Sequence, residues 1–428
     1  MKISVQKIYK FAFYSLLFLN LFLDSIEINF VAGLLIISFI SIFPENKISQ
    51  SFLNLISPLF VVIMVSFFAG LFYEIQPYEA LRGFVYLFKP ILLIILGFLL
   101  INKIKDKHFI FNAIVYTAAI SATIHIFELL VFLANNPFSV TRIRELDRDN
   151  FIELFALVIL SVNSNKIFLS HTILKKLKFF RFLLIISFVF YFSRTMFIAL
   201  FLLIIAMKGY AKISSKGLLY ITIFTIVFSS FFVSLQFMNL ERDSKGIDGF
   251  LYKLKIAPAE IFSPDLDIDI HNHESLWDHW RAYEAFKAIQ QIKDTNYSVG
   301  WFFGKGLSSQ VDLGFEVPLD GKRFQYIPII HNGYVYVLFK SGILGLLMYF
   351  YFLVFAYMQC YKPYKNLSLT IVNNFISGVA IFFILTSLII TGIYNKSDII
   401  VLFLGGLFSL QLFFSKTNQE DENRYIRN

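Results

Sequence analysis

Charged residues are scarce in this sequence: Asp, Glu, Lys and Arg make up 16% of its 428 residues, whereas soluble domains average about 25%. Cysteine is scarcer still, because Cys360 stands alone and no intramolecular disulfide can form. No basic helix with interleaved aromatic residues occurs, so nucleic acid is not expected as a partner. By contrast, hydrophobic residues make up 57% of the chain, which indicates a membrane protein.

Long apolar runs fill most of the chain. A bilayer core about 30 Å thick takes about 20 apolar residues per helix, and windows of that length predict about twelve spans. We therefore expect an all-α fold, a polytopic bundle of about twelve transmembrane helices with one large, partly helical external loop. The predicted spans cover residues 8–23, 28–43, 52–72, 83–101, 109–133, 151–164, 179–192, 195–208, 217–237, 330–361, 369–391 and 398–414. The tenth is long enough to be a bent or broken helix.

The spans divide the chain into three parts. Residues 1–237 form an N-terminal bundle of about nine helices, 238–326 the large loop, and 327–428 about three further helices and a cytoplasmic tail. With both termini in the cytoplasm, the inside segments carry about 20 Lys and Arg against about six in the short outside loops, as the positive-inside rule requires. The large loop then lies outside, and its slight excess of acidic residues fits a translocated segment.

The large loop is predicted to contain an amphipathic helix. Ser275 with Asp278 indicates a helix start. Apolar residues then recur at helical spacing, which predicts a helix that docks on the membrane surface or roofs a cavity. These residues are Leu276, Trp280, Tyr283, Phe286 and Ile289. Three glycines, Gly300, Gly304 and Gly306, predict a tight turn at the end of the loop.

Ionisable residues within the spans are few and are placed mainly in the outer half. A charge inside a bilayer is costly and is usually functional. Those in the outer half are Lys89, His125, Glu128, Glu153, Arg194 and His331, and Lys340, near mid-depth, is the exception. A transporter of a polar substrate would line both halves, whereas polarity on the outer side alone suits a lipid-linked substrate whose head group is already external. The structural alternatives are that Lys89 snorkels to the surface and that His125 pairs with Glu128.

Short motifs at two span starts resemble a known family. Ser193-Arg194-Thr195 begins one span; His331-Asn332-Gly333-Tyr334 begins another and leads to Gly342-Ile343-Leu344-Gly345. This order and spacing resemble the signature of bacterial O-antigen ligases and the related O-antigen polymerases. Three further patches resemble the same family: Asp149-Asn150, Trp280-Arg281 and Gly300-Trp301-Phe302-Phe303-Gly304-Lys305-Gly306.

The resemblance implies an enzyme of the bacterial inner membrane whose active site faces the periplasm. That family transfers a glycan from undecaprenyl pyrophosphate to an acceptor hydroxyl without a metal or cofactor. The acceptor is the lipid A–core sugar in ligases and another lipid-linked repeat unit in polymerases. The expected partners are therefore this donor, a sugar acceptor and the lipid bilayer. The residues leave the choice between ligase and polymerase open.

The chemistry of the motif residues agrees with such a transfer. His331 is the candidate general base, because an acceptor hydroxyl needs a base that works near neutral pH. Arg194 and Arg281 are candidates for binding the pyrophosphate, since a guanidinium stays protonated and its planar fork matches phosphate oxygens. Lys89 is expected to line the same outward cavity, and Asn332 to orient His331 or to cap its helix.

Structural roles are the alternative for several of these residues. His331 could be an interfacial residue, Arg194 a topology anchor, and Arg281 a partner of Glu284 on a solvated helix. Gly342 and Gly345 are expected to permit close helix packing.

Two rival functions stay open at this point. Asp265, Asp267 and Asp269 alternate as in cation sites of nucleotide-sugar glycosyltransferases, but no soluble α/β domain accompanies them, so no metal site is predicted. A lipid-linked oligosaccharide flippase also has about twelve spans, yet it would have short loops, repeated halves and charges at both depths.

Overall fold

A computed structural model describes residues 4–23, 25–42, 48–146, 150–241, 247–262, 273–295, 298–319, 322–362, 366–395 and 399–427. Over these residues the chain forms eighteen α-helices and one antiparallel strand pair. The helices are α1 (Val5–Phe22), α2 (Ile26–Ser41), α3 (Gln50–Gly70), α4 (Pro77–Ile104), α5 (Phe109–Asn135), α6 (Val140–Leu146), α7 (Phe151–Ser161), α8 (His171–Lys175), α9 (Leu177–Phe190), α10 (Arg194–Ile205), α11 (Ser215–Gln236), α12 (Ile247–Phe262), α13 (His273–Asp278), α14 (Trp280–Lys293), α15 (Val299–Phe303), α16 (Gly333–Tyr357), α17 (Leu367–Ile389) and α18 (Ile399–Arg427). The strands are β1 (Val311–Leu319) and β2 (Lys322–Ile327).

Six of the described helices are long and apolar enough to cross a membrane: α3, α4, α5, α11, α16 and α17. Shorter apolar helices occupy Ile26–Ser41, Phe151–Ser161 and Ile399–Ser415. The prediction of an all-α, multi-pass membrane protein is therefore confirmed. A helix covers most of each of the twelve predicted spans, although only six reach the length and hydropathy of a full crossing.

Serine side chains begin several of these helices. The hydroxyl oxygens of Ser49, Ser193 and Ser214 accept hydrogen bonds from the backbone N–H three residues later, at 3.2, 3.3 and 3.2 Å. Each cap satisfies one of the N–H groups that a helix start leaves without an intrahelical partner. A local sequence feature thus sets the start of α3, α10 and α11.

Helix α16 is broken inside the membrane-spanning bundle, as the length of the tenth predicted span suggested. The break lies at Gly342, where φ is +63°. The chain after α15 binds the carbonyl groups just before the break. The N–H of Lys305 donates to the carbonyl oxygen of Phe339 at 2.8 Å, and that of Gly306 to Lys340 at 3.1 Å. The predicted glycine-rich turn therefore packs into the break in α16 and bonds its free carbonyl groups.

The two glycines of the Gly-x-x-Gly motif differ in what they contact. A Cβ at Gly342 would lie 2.3 Å from the carbonyl oxygen of Phe302, so this glycine allows the backbone of α15 to approach α16 at the break. At Gly345 the nearest atom would be the Oγ of Ser341 at 1.8 Å, on the same helix. The close helix packing expected of both glycines is thus found at Gly342.

The strand pair was not predicted from the sequence. Strands β1 and β2 pair from Val311 with Ile327 to Leu319 with Lys322, with an irregular register after Asp312. Apolar residues do alternate along β1, and the dipeptide Asp320-Gly321 stands between the strands in the sequence. Alternation around such a dipeptide is a hairpin signal, which is too short to register in windows of transmembrane length.

The predicted amphipathic helix is present in two pieces. It begins at His273, two residues before Ser275, and is interrupted at His279 between α13 and α14. Three of the five predicted apolar positions, Leu276, Trp280 and Tyr283, are buried, and α14 packs on β1 and α16. Phe286 and Ile289 remain 40% and 36% exposed. The buried residues of α14 are Trp280, Ala282, Tyr283, Glu284, Ala288 and Ile292.

The segment from α12 to β2 covers one end of the bundle, here named the loop end, where α3 ends and α10 and α16 begin. It is tied there by the N–H of Leu307, which donates to the carbonyl oxygen of Ser66 on α3 at 3.2 Å. At the opposite end, Lys10 near the start of α1 pairs with Asp106 just after α4 at 3.0 Å. The candidate site residues lie at the loop end.

Candidate active site

His331 stands just before α16 and pairs with a buried carboxylate. Its Nδ1 lies 2.8 Å from Oε2 of Glu284, and its backbone N–H donates to the same oxygen at 2.9 Å. The side chain of His331 is 44% exposed, whereas that of Glu284 is 2% exposed. In this geometry the N–H at Nδ1 donates a hydrogen bond to the carboxylate. The lone pair of Nε2 then remains available to accept a proton from a substrate. This is the arrangement of a general base held by an orienting carboxylate.

Two guanidinium groups share a second carboxylate. Arg194, the first residue of α10, binds Oε2 of Glu260 at 2.8 Å. Arg281 on α14 binds Oε1 of the same side chain. Arg194 also donates to the backbone carbonyl of Lys253. Carboxylate and phosphate oxygens are bound by the same guanidinium donors, so Glu260 occupies a position that suits a phosphate group.

Glu260 is ionised in this arrangement. Burial raises the pKa of its carboxyl, but the charges of Arg281 and Arg194 outweigh burial and hold the pKa below its ordinary value. One carboxylate between two guanidinium groups leaves a net positive charge. In addition, Nε of Arg281 is buried and has no hydrogen-bond partner among the described residues. The cluster therefore retains the capacity to bind an anion.

Helix α14 joins the arginine cluster to the histidine. Arg281 and Glu284 are three residues apart, which is a rise of about 4.5 Å on neighbouring positions of one helix face. The structure thus joins Arg194 to Arg281 through Glu260, and joins His331 to the same helix α14 through Glu284. Glu284 bonds His331 and Arg281 bonds Glu260, so both charges are directed to partners outside α14.

Helix α12, which carries Glu260, has further ties to the same region. Nζ of Lys253 lies 2.6 Å from Oδ1 of Asp278, and the hydroxyl of Tyr252 donates to Oδ2 of that carboxylate at 2.9 Å. Asp278 was predicted to mark a helix start with Ser275. In the structure it is the last residue of α13 and fixes α12. The arginine cluster is therefore covered by a helix that is bound at two points.

Asn332 caps a helix, whereas Lys89 is buried within one. Oδ1 of Asn332 accepts a hydrogen bond from the N–H of Val335 at 3.1 Å, so Asn332 caps α16, one of the two roles proposed for it. Lys89 lies in α4 and is 4% exposed. Its expected place in the outward cavity stays a prediction.

Two residues of the cluster were missed by reasoning from the sequence. Glu284 was considered only as an intrahelical partner of Arg281, although its place one turn after that arginine was a usable signal. Glu260 is 66 residues from Arg194 and 21 from Arg281. No local pattern connects such distant positions, so only the folded chain reveals this contact.

The structure does not test whether the acidic residues between α12 and α13 bind a metal ion. Asp265, Asp267 and Asp269 lie outside the described residues. Asp149 of the resembling patches lies outside them as well. Within the described ranges, no group of three His, Cys, Asp or Glu side chains is placed to bind a metal ion.

Comparison of the chain with protein-family models and with curated proteins gives no match. The similarity to O-antigen ligases therefore consists of the short motifs and their order along the chain. The contacts at the loop end are the independent basis for a functional proposal.

Proposed function

We propose that this chain is a membrane glycosyltransferase that moves a glycan from undecaprenyl pyrophosphate to a sugar hydroxyl, as O-antigen ligases do. In this proposal about twelve helices cross a bacterial inner membrane, and the loop end faces the periplasm. The observation that carries the proposal is α14, which directs Arg281 to an anion-binding cluster and Glu284 to His331 within one helical turn.

His331 acts as the base in the transfer step. Its Nε2 accepts the proton of the acceptor hydroxyl while that oxygen forms a bond to the anomeric carbon of the donor sugar. The imidazolium that results lies against the Glu284 carboxylate at 2.8 Å, and this pairing lowers the cost of forming the charge. Glu284 also holds the ring in place through the backbone N–H of His331.

Arg194 and Arg281 act on the leaving group. The bond between the anomeric carbon and the pyrophosphate oxygen breaks as the new glycosidic bond forms, and its electron pair leaves with the pyrophosphate. The oxygens gain negative charge in that step, which two guanidinium groups stabilise more than they stabilise the bound substrate. The step balances with no cofactor, because the proton passes to His331 and the leaving group departs as an anion.

Glu260 is displaced when the donor binds. Its two oxygens each bind one arginine, so a phosphate group can reach both guanidinium groups only after the carboxylate has moved. The structure then corresponds to the enzyme before donor binding, with Glu260 as an internal competitor. Its removal should therefore tighten the binding of the donor.

Transfer by the purified protein tests the proposal directly. The protein is reconstituted in proteoliposomes with an undecaprenyl-pyrophosphate-linked glycan and offered lipid A–core or a second lipid-linked repeat unit as the acceptor. We expect a new glycosidic product and release of undecaprenyl pyrophosphate. No product with either acceptor, from protein that is folded and inserted, would contradict the proposal.

A strain that lacks the protein separates the two enzyme types. Accumulation of long lipid-linked chains without attachment identifies a ligase, whereas accumulation of single repeat units identifies a polymerase. An unchanged surface glycan would remove both. The ligase is named first because the spacing between His331 and Gly342 favours it slightly, but polymerases share this spacing, so the strain decides between the two.

A further inference from the structure

Glu153 is fully buried within the bundle and is surrounded by hydroxyl groups. Its side chain has 0% exposure. Oε1 accepts hydrogen bonds from Ser121 at 2.7 Å and from Tyr191 at 3.0 Å, and Oε2 accepts one from Ser187. These donors come from α5, from α9 and from the residue after α9. A carboxylate at this depth is costly to bury, so its retention calls for a specific role.

His125 and Asn150 complete this hydroxyl cluster. Nδ1 of His125 lies 2.8 Å from Oγ of Ser187, and Nδ2 of Asn150 donates to Oγ of Ser121 at 2.6 Å. His125 therefore bonds Ser187 and not Glu128, which is exposed. The ring of His125 also stacks on Tyr191 with centroids 4.1 Å apart. Tyr191 is thus fixed through both its hydroxyl and its ring.

The fixed tyrosine begins the turn that presents Arg194. Tyr191 follows the last residue of α9, and Arg194 is the first residue of α10. Between them, Phe192 has a φ of +46°, a left-handed conformation that is uncommon for a bulky residue. Ser193 then caps α10 through the N–H of Met196. Strained backbone persists only where its surroundings hold it in place, and it is frequent next to functional residues.

We infer that Glu153 is a positioning residue for Arg194 and acts through Tyr191. This inference rests on the proposed role of Arg194 in binding the pyrophosphate. The Glu153 carboxylate fixes the Tyr191 hydroxyl, the tyrosine fixes the tight turn, and the turn directs the guanidinium toward Glu260, which Arg281 also binds. Glu153 itself touches neither the substrate nor the reacting atoms in this scheme.

A pair of matched Tyr→Phe variants tests the inference. Tyr191→Phe removes the hydroxyl that bonds Glu153. Tyr357→Phe removes one that bonds the carbonyl oxygen of Ala211 at 2.6 Å, away from the site. For Tyr191→Phe we expect kcat/KM for the lipid-linked donor to fall about tenfold with KM for the acceptor unchanged. Tyr357→Phe should leave both quantities unchanged.

Glu153→Gln provides a second route to the same answer, since an amide keeps the size of the side chain and loses its charge. It should lower kcat/KM for the donor as Tyr191→Phe does, again without a change in KM for the acceptor. Equal donor kinetics in wild type, Tyr191→Phe and Glu153→Gln would overturn the inference. So would losses that affect donor and acceptor alike, because these indicate general destabilisation.

Arg194→Ala separates failure of this inference from failure of the proposed function. If Arg194→Ala leaves donor kinetics unchanged, the proposed pyrophosphate site is wrong, and the positioning role falls with it. If Arg194→Ala abolishes donor use while Tyr191→Phe and Glu153→Gln behave like wild type, the site stands and only the positioning role is wrong.

Discussion

The two ends of the bundle both carry charges, but they use them differently. At the opposite end, Lys10 and Asp106 form a pair in which each side chain is 37% exposed. At the loop end, Arg194, Glu260 and Arg281 are between 13% and 26% exposed and share contacts. Exposed pairs of the first kind contribute about 0–1 kcal/mol. Linked, partly buried charges are less screened by water and salt and therefore interact more strongly.

The number of charged residues at an end of the bundle does not indicate where the candidate active site lies. Most lysines and arginines of the predicted inside loops fall at the opposite end, as the positive-inside rule requires. The loop end has fewer cations outside its large segment, yet two of them converge on one carboxylate, one helical turn from the Glu284 that bonds a half-exposed histidine. The contacts between these side chains, not the net charge, are therefore the basis for the proposed active site at this end.

The largest expected effect separates two histidines at the two ends. His331→Ala should reduce glycan transfer by at least about 100-fold, because a general base typically contributes 10²–10⁴-fold. His171→Ala, on α8 and exposed, should leave transfer unchanged. The measurement is the initial rate of transfer in proteoliposomes with equal amounts of inserted protein. Normal transfer by His331→Ala would remove this residue as the base.

Next in size is an effect on stability at two glycines with positive φ. Gly342→Ala and Gly209→Ala both place a side chain at a residue with positive φ, at a cost of roughly 1–3 kcal/mol. Only at Gly342 would the new Cβ also meet backbone, at 2.3 Å from Phe302; at Gly209 the nearest atom, on Asn374, is 3.5 Å away. Thermal unfolding in detergent should therefore show a clearly larger loss for Gly342→Ala. Equal losses would mean that α15 does not occupy the break in α16.

A smaller effect distinguishes the two carboxylates at the two ends. Glu260→Gln should lower KM for the donor by about three- to tenfold, since a neutral amide competes less well with phosphate for two guanidinium groups. Asp106→Asn removes the same charge from the opposite end and should leave this KM unchanged. A higher KM in Glu260→Gln would show that Glu260 holds the arginines in place and does not compete with the donor.

The smallest effect is a shared dependence on pH. Arg281 and Arg194 outweigh burial and lower the pKa of Glu260. Burial raises the pKa of Asp106, but the hydrogen bond from Lys10 and that from the N–H of His108 outweigh burial and lower it. A carboxyl with a lowered folded-state pKa adds stability above its ordinary pKa and loses it as the pH falls through the folded value.

The melting temperature tests this dependence. The difference between wild type and Glu260→Gln should stay constant from pH 8 to about 5 and shrink only below about pH 4. Asp106→Asn should show the same direction with a smaller difference, because its ion pair is more exposed. A difference that disappears between pH 7 and 6 would contradict the lowered pKa of Glu260.

The sequence by itself determined the helical, multi-pass character of the protein, because apolar runs of membrane length leave few other structures for the backbone. It also marked a helix start at Ser193 and a possible cap at Asn332, since capping is a contact over three residues. His331, Arg194 and Arg281 could be named in advance because they lie in motifs that resemble those of O-antigen ligases, and their side chains suit the proposed proton transfer and phosphate binding.

Only the tertiary structure decided which partners these residues have. Glu260 reaches Arg194 across 66 positions, and Tyr191 reaches Glu153 across 38. Such pairings depend on how separate helices pack, and helical periodicity carries no information about which helix lies next to which. The contact of residues 304–306 with the break in α16 could not be predicted for the same reason. The glycines of this segment signalled a turn, but the neighbour that requires them is supplied by the fold.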